Sequence, residues 1–315
     1  MNVLIIGGNG VIGSQLVSIL ENTGATVILI AKHPSILVKS SKTREELYID
    51  RKCHLLFRQK LNATLKKINN QLDAVIDVIP FSEDDAKQTL ELFGNRAKHI
   101  ISISSSLVYK SSNLPKTEEY PTYKTHSHKY IQGKLDVENF WLNSGFKNYT
   151  IIRPHHIIGP GALMGCVPLH NRAKNILSLS ELTLIEGGKI KLSFIHSRDL
   201  AQLIIGIIGK QESKGNLFNA VNPHPITALD YYQIIGEIRG KKYCINTLDK
   251  TLEILINSPW LPMIEQHIYS ADKIIKLSGH DPKISLKTAL KETHKYQLNS
   301  PRISFDIHHR MNGII

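Results

Sequence analysis

The sequence has few cysteines and no long apolar run. Its three cysteines, Cys53, Cys166 and Cys244, are far apart in 315 residues and form no Cys-x-x-Cys spacing. The sequence therefore predicts neither a disulfide framework nor a zinc site, and we expect no metal. No apolar run approaches the ~20 residues needed to cross a bilayer, and the chain begins with an apolar strand instead of a signal peptide. We expect a cytoplasmic protein without a membrane partner.

Acidic side chains are scarce relative to basic ones. There are 39 Lys and Arg against 27 Asp and Glu, which gives a formal net charge of +12. This excess favours anionic partners, such as phosphorylated cofactors, phosphorylated substrates or nucleic acid, and a basic solvated surface explains it equally well. Because the basic residues are spread along the chain and not clustered, nucleic acid is a disfavoured partner.

Strand and helix signals alternate along the first half of the chain. Val3–Ile6 is a short apolar run typical of a buried parallel strand, and apolar residues then recur at helical spacing from Ile12 to Leu20. The alternation continues as far as a strand at Tyr149–Ile152. Repeated strand, helix and strand units predict an α/β fold, a doubly wound parallel sheet with helices on both faces.

A glycine-rich turn, Gly7-Gly8-Asn9-Gly10-Val11-Ile12-Gly13, lies directly between the first strand and the first helix. Gly7 allows the tight turn, Gly10 lets the backbone approach a pyrophosphate, and Gly13 lets the helix pack closely on the strand. The helix N-terminus offers free N–H groups to the phosphates. The turn predicts a dinucleotide site contacted by Gly7, Asn9, Gly10, Val11, Ile12 and Gly13.

The end of the second strand determines which dinucleotide is expected. A carboxylate at this place holds the ribose 2′-hydroxyl of NAD. This chain instead has Ala31, Lys32 and His33, which supply two potential cations and no carboxylate. We predict NADP(H) over NAD(H), with Ala31 and Lys32 as contacts. The alternative is that Lys32 is only a solvated turn residue.

A tyrosine and a lysine share one face of a predicted helix. Tyr130 and Lys134 are four residues apart, and Ser105 ends a predicted strand at the edge where sites on open α/β sheets form. A phenol with a pKa near ~10 is a poor base at neutral pH, and a neighbouring ammonium favours its ionised form. Lys134 is also placed to hold the nicotinamide ribose. The three residues predict proton transfer at an alcohol or ketone that exchanges hydride.

These motifs, together with two later ones, resemble those of the short-chain dehydrogenase/reductase superfamily. The later motifs are Arg153-Pro154 leading to Gly159-Pro160-Gly161, and Phe194-Ile195-His196-Ser197-Arg198-Asp199-Leu200-Ala201. The resemblance is to the extended or atypical branch, the NAD-dependent epimerase/dehydratase family, over about residues 1–298. It implies a Rossmann-type domain with a smaller C-terminal α/β substrate lobe, a homodimer, and a catalytic triad of Ser105, Tyr130 and Lys134. It also adds Pro154 and His156 to the expected cofactor contacts.

We predict two parts and a tail. Residues 1–160 form mainly the dinucleotide-binding domain, and residues 161–298 form mainly the substrate-binding lobe. Residues 190–222 return partly to the first domain. Residues 299–315 lack periodicity and are expected to be a tail.

Departures from the family pattern narrow the range of reactions that this chain is expected to catalyse. Nucleotide-sugar 4,6-dehydratases carry Asp-Glu after the serine or threonine, whereas this chain has Ser106 and Leu107. Sugar-acid decarboxylases place a glutamate at the position of Leu107, so both reactions are disfavoured. The family's Gly-Asp near the third strand, which contacts adenine, is not visible around Phe57-Arg58-Gln59-Lys60.

The substrate is expected to be a small molecule, with nucleotide sugars among the candidates. Nucleotide-sugar epimerases often carry an asparagine near the substrate phosphate, where this chain has His156. The predicted substrate contacts are Ser106, His155, His156 and Arg172. A hydrogen-bonded loop role explains the two histidines equally well.

Three functions remain open. A reductase or dehydrogenase that exchanges NAD(P) in each cycle is favoured, because Lys32 indicates NADPH and the asparagine is missing. The first alternative is a nucleotide-sugar epimerase that keeps its cofactor bound. The second alternative is a non-enzymatic member that binds RNA or senses the cofactor, and the intact Ser105, Tyr130 and Lys134 argue against it.

Overall fold

A computed structural model describes residues 1–35, 37–39, 41, 44–69, 71–112, 115–162, 180–249 and 266–299. The tail predicted at 299–315 therefore lies outside the described residues, except for Asn299. Within the described ranges no helix combines the length and apolar character that a membrane crossing requires.

The strands follow one another through the whole described chain. In chain order they are β1 (Asn2–Ile6), β2 (Thr26–Ala31), β3 (Glu45–Tyr48), β4 (Ala74–Asp77), β5 (Ile100–Ile103), β6 (Tyr149–Pro154), β7 (Ile157–Ile158), β8 (Glu181–Ile185), β9 (Lys191–Leu192), β10 (Ile195–His196), β11 (Asn216–Ala220), β12 (Ile226–Thr227) and β13 (Cys244–Leu248).

Helices separate most of these strands. They are α1 (Val11–Asn22), α2 (His54–Lys66), α3 (Glu83–Phe93), α4 (Lys129–Asn143), α5 (Ser197–Gly206), α6 (Ala228–Arg239), α7 (Asp272–Ser278) and α8 (Leu286–Asn299). Local sequence explains several of their ends. Ser82 caps α3 by accepting a hydrogen bond from the Asp85 N–H, and Thr227 and Asp230 form a reciprocal capping box on α6.

The central sheet has seven strands in the order β11-β6-β5-β4-β1-β2-β3. Every neighbouring pair is parallel. The chain runs outward from β1 in one direction and then returns to build the other half, which is the doubly wound arrangement expected from the alternating sequence. The predicted Rossmann-type α/β fold is confirmed. Three two-stranded pairs, β7 with β10, β8 with β13 and β9 with β12, lie outside this sheet.

Apolar side chains of the sheet divide between its two faces. On β1, Val3 and Ile5 join one cluster with α1, α5 and α7, whereas Leu4 and Ile6 join another with α2, α3 and α4. Successive side chains of a strand point to opposite faces, so a continuous apolar run is what a strand covered on both faces requires. A third cluster packs α6 and α8 against β8 and β9.

The third strand does not end near Phe57-Arg58-Gln59-Lys60. These residues lie inside helix α2, so the expectation that the adenine-contacting position is near them was wrong. Strand β3 is Glu45–Tyr48, an edge strand with partly exposed side chains and no apolar run. The residues that follow it, Ile49 and Asp50, occupy the carboxyl end of the sheet next to β2.

A buried ion pair fixes the loop after β3 to the end of β4. Both Arg51 and Asp77 are buried, and the Arg51 guanidinium donates to both Asp77 carboxylate oxygens at 3.0 and 3.1 Å. Arg51 also donates to Gln88 and Thr89 of α3. Nearly every donor of this guanidinium therefore has a partner, which a buried charge requires.

We expect Arg51→Met to lower the free energy of unfolding by about 3–5 kcal/mol, since Asp77 would be left as an uncompensated buried charge. Urea unfolding followed by circular dichroism measures the change. Lys98→Met is the matched control, because Lys98 pairs with Asp73 at 2.7 Å while 68% exposed. Such exposed pairs contribute about 0–1 kcal/mol. Equal losses in the two variants would contradict this account of Arg51.

Candidate active site

The predicted site residues gather at the carboxyl edge of the sheet. Gly7 follows β1, Ala31 ends β2, Ser105 follows β5 and Pro154 ends β6. Parallel strands end at a common edge, so residues far apart in sequence meet there. Arg172 lies outside the described residues.

The glycine turn leaves an open surface at the N-terminus of α1. A Cβ on Gly13 would come within 2.3 Å of the Gly7 carbonyl oxygen, so the helix packs on the turn more closely than a side chain allows. A Cβ on Gly10 would meet only that same oxygen, at 3.6 Å. No side chain caps α1, whose first turn contains Val11 and Ile12. The turn therefore fits a pyrophosphate held by helix N–H groups.

The end of β2 carries an ion pair. The Lys32 ammonium lies 2.9 Å from the Asp50 carboxylate that follows β3. The pKa of Asp50 is lowered by hydrogen bonds from the Lys52 N–H and from Lys32. Ala31 is buried, and the Asn9 side-chain amide donates to the His33 carbonyl. Lys32 is thus held by a carboxylate that the sequence pattern did not reveal.

Ser105, Tyr130 and Lys134 are brought together. Tyr130 lies in the first turn of α4, and Lys134 is one turn further along, with its ammonium 5.8 Å from the centre of the Tyr130 ring. Burial raises the pKa of Tyr130, and a hydrogen bond with Ser105 opposes that rise. The phenol is therefore protonated at neutral pH in this arrangement.

The lysine is held by backbone carbonyls. Lys134 is 2% exposed, and its ammonium donates to the carbonyl oxygens of Pro80 and Ile103, each at 2.8 Å. Burial lowers its pKa to about 8, although the carboxylates of Asp77, Asp85 and Glu138 act in the opposite direction. Two of its three N–H donors are engaged in these bonds, which leaves one for a ribose hydroxyl.

A buried carboxylate fixes α4 to the sheet. Glu138 accepts two hydrogen bonds from the Arg153 guanidinium of β6, at 2.9 and 2.6 Å. It also accepts one from the Ser104 hydroxyl, next to Ser105. Glu138 lies one helical turn beyond Lys134, so this network sets the distance between the tyrosine helix and the serine strand.

Ser106 and His155, two of the predicted substrate-binding residues, are hydrogen-bonded to each other. The Ser106 hydroxyl and His155 Nδ1 share a hydrogen bond of 2.7 Å, and both residues are buried. The His155 ring stacks on His267, with ring centres 5.0 Å apart, and His267 Nδ1 lies 3.0 Å from the Tyr269 hydroxyl. His267 and Tyr269 come later in the chain than β13, and no sequence motif identified them as site residues.

His156 occupies a bend beside this cluster. Its φ of 35° is in the left-handed region, which turns the chain between β6 and β7. Its ring lies edge-on to Tyr231, with centres 5.5 Å apart. Burial lowers the pKa of His156 to about 4 and that of His267 to about 3. The pKa of His155 is also held well below its usual range by burial.

Asp199 has a structural role at the start of α5. It is buried in the first turn of α5 and accepts hydrogen bonds from the His280 ring and the Ile284 N–H, each at 3.0 Å. The side chain that caps α5 is His196, which accepts from the Arg198 N–H.

A family model agrees with this assembly of motifs. The model of the NAD dependent epimerase/dehydratase family matches residues 3–220. The chain belongs to this family. The resemblance inferred from the motifs is confirmed, and the expectation of an NAD(P)-dependent enzyme holds at the level of the epimerase/dehydratase family.

The curated relatives have low sequence identity to this chain. UDP-D-apiose/UDP-D-xylose synthases 2 and 1 of Arabidopsis thaliana are 26% and 25% identical over 197 residues. The match covers 53% of this chain, and the chain spans about half the length of these curated relatives, 48% in each case.

Solved structures share the fold over nearly the whole chain. A UDP-glucuronic acid 4-epimerase from Bacillus cereus, in complex with NAD, has a TM-score of 0.73 at 20% identity, covering 95% of this chain and 99% of that one. A dTDP-glucose 4,6-dehydratase from Bacillus anthracis, also with NAD, has a TM-score of 0.73 at 18% identity, covering 96% and 98%. At this identity the likeness establishes the fold.

We expect the protein to lose stability as the pH falls from about 6.5 toward 4. The unfolded chain binds protons on histidine near pH ~6.5. His156 and the buried His267 stay neutral until about pH 4 and 3. Their contribution is complete above pH 6.5 and is lost progressively below it, because only the unfolded state takes up protons.

Urea unfolding at pH 7, 6 and 5 measures this slope. His267→Gln should reduce the slope by up to one proton, whereas exposed His224→Gln should leave it unchanged. A slope that is the same in wild type and His267→Gln would show that His267 does not stay neutral in the folded protein.

Proposed function

We propose that this protein is an NAD-dependent nucleotide-sugar epimerase, with Ser105, Tyr130 and Lys134 at its catalytic centre. The observation that carries the proposal is the meeting of this triad with the glycine turn at one edge of the sheet. The sequence favoured a reductase or dehydrogenase. The relatives favour the epimerase alternative, because they are named as acting on UDP-sugars or dTDP-glucose.

The three residues of the triad have separate proposed roles in binding and in proton transfer. Tyr130 protonates or deprotonates the reacting sugar oxygen, and Ser105 holds that oxygen by hydrogen bonding. Lys134 holds the nicotinamide ribose with its remaining donor and favours the ionised phenol by its charge. A bound nicotinamide would supply reversible hydride transfer at the sugar carbon. Its positive charge would also counteract the rise in the Tyr130 pKa caused by burial.

The position next to the catalytic serine argues against elimination. Ser106 is bonded to neutral His155, and Leu107 carries no ionisable group. An elimination needs an acid and a base of its own beside the redox centre. Ser106, His155 and His156 are therefore proposed to bind sugar hydroxyl or phosphate oxygens, and not to catalyse water loss.

NAD is proposed over NADP, contrary to the sequence prediction. The Lys32–Asp50 pair supports this choice, since a ribose 2′-phosphate near Lys32 would also meet the Asp50 carboxylate. Solved structures that share the fold contain NAD. The domain division at residue 160, the homodimer and the cofactor contacts of Pro154 and His156 remain predictions.

The RNA-binding or cofactor-sensing alternative is less well supported. The main observation in favour of this alternative is the net charge of +12. The triad and the open glycine turn are features that a catalyst needs and an RNA-binding protein does not. RNA affinity with a steep salt dependence and no nicotinamide binding would favour the RNA-binding form of this alternative.

Tyr130→Phe should lower turnover about 10²–10⁴-fold while NAD stays bound, because it removes the proton-transfer group alone. The assay follows UDP-glucuronic acid and UDP-glucose by NMR, with total NADH measured in parallel. Tyr123→Phe is the control, a nearby tyrosine outside the triad. An epimerase interconverts two sugars without net NADH. Stoichiometric consumption of added NADH or NADPH would instead establish a reductase.

Asp50→Asn should raise the affinity for NADPH relative to NADH about tenfold, since it removes the negative charge that a 2′-phosphate would meet. Fluorescence titration with both cofactors gives the ratio. Asp73→Asn removes a similarly paired carboxylate at the opposite edge of the sheet and should leave the ratio unchanged. A wild-type preference for NADPH would overturn the proposal of NAD.

A further inference from the structure

Helix α4 packs against the backbone of the turn after β4 at Gly133. A Cβ on Gly133 would lie 2.1 Å from the carbonyl oxygen of Phe81. This neighbour is backbone, so no side-chain rotation can relieve the contact. Any side chain at position 133 must push α4 and the Pro80–Phe81 turn apart by on the order of 1 Å to reach an ordinary contact distance.

The next residue of the helix bonds to the same turn. Lys134 donates to the Pro80 carbonyl at 2.8 Å, and its ammonium lies 4.6 Å from the centre of the Phe81 ring. The Phe81 ring is also 6.2 Å from the Tyr130 ring. The turn therefore contacts both ionisable members of the triad.

The turn itself is firmly anchored. It follows directly on β4 in the middle of the sheet, and the Phe81 N–H donates to the Asp85 side chain at 2.9 Å. Ser82 caps α3 immediately afterwards. Because the turn cannot follow α4, a displacement at Gly133 would be taken up by the helix that carries Tyr130 and Lys134.

We propose that Gly133 is a positioning residue, whose missing side chain lets the Pro80–Phe81 turn hold the Lys134 ammonium in the place from which it binds the nicotinamide ribose. This inference rests on the proposed function. It adds a requirement that the Tyr-x-x-x-Lys spacing does not contain, since that spacing leaves position 133 free. An extra methyl group would separate Lys134 from the Pro80 carbonyl and shift both triad members.

The test is a double-mutant cycle on NADH binding. Dissociation constants are measured by NADH fluorescence for wild type, Gly133→Ala, Lys134→Met and the double variant. Gly133→Ala should weaken binding about tenfold or more, the loss expected for one charge-assisted hydrogen bond. If Gly133 acts through Lys134, the double variant should bind NADH no more weakly than Lys134→Met alone. Turnover of Gly133→Ala should fall about 10²-fold.

Gly236→Ala is the matched control. Gly236 is also helical, and its Cβ would lie 2.5 Å from the backbone oxygen of Lys241, within the separate cluster of α6 and α8. The control should lose comparable thermal stability while keeping its affinity for NADH. Phe81→Leu is a second variant. Because the Phe81 side chain is exposed, this substitution should not prevent folding. It should weaken NADH binding about threefold, and only when Lys134 is present.

Each outcome is decisive. Unchanged NADH affinity in folded Gly133→Ala, additive losses in the cycle, or equal losses in Gly236→Ala would overturn the inference and leave the proposed function intact. If Gly133→Ala does not fold, unchanged affinity in Phe81→Leu overturns it. A wild-type protein that binds neither NADH nor NADPH would overturn the proposed function and this inference together.

Discussion

The arrangement of the site depends on one buried carboxylate. Glu138 binds the Arg153 guanidinium at two points and accepts from Ser104, so a single side chain joins α4 to both β5 and β6. All three residues are buried, where a bidentate pair is strong and an unpaired charge is costly. The tyrosine and lysine lie on the helix and the serine lies beside the strand. Their separation therefore depends on this network as well as on the bond that Lys134 itself donates to the Ile103 carbonyl of β5.

Burial favours the uncharged form of the ionisable groups at the site. It raises the pKa of Tyr130 and lowers that of Lys134, so in each case it favours the neutral form. The histidines His155, His156 and His267 are neutral for the same reason. The cluster of Ser106, His155 and His267 thus offers uncharged donors and acceptors, which suit the hydroxyl recognition proposed for it. The lysine, in contrast, is held by the backbone carbonyls of Pro80 and Ile103.

Local sequence patterns are sufficient to predict the fold and the grouping of Ser105, Tyr130 and Lys134. A turn of four glycines between a strand and a helix, and a tyrosine and lysine one helical turn apart, can be recognised without tertiary information. Strand β3 could not be recognised in this way, because an edge strand of sequence Glu-Glu-Leu-Tyr shows no apolar run. Asp50 lies beside Lys32 only because β3 pairs with β2, and the sequence pattern does not show this pairing. His267 meets His155 from more than a hundred residues away, and only the folded chain brings these rings together.

The sheet order also has a consequence for synthesis of the chain. Six of the seven strands lie within residues 2–154, but the outer strand β11 comes from residues 216–220 and pairs with β6. Until that segment leaves the ribosome, β6 presents an unpaired row of N–H and C=O groups along an apolar strand. Open edges of this kind pair readily with other chains. The nascent protein therefore passes through a period in which its nearly complete central sheet is open to aggregation. The strand that ends this period comes from the second half of the sequence.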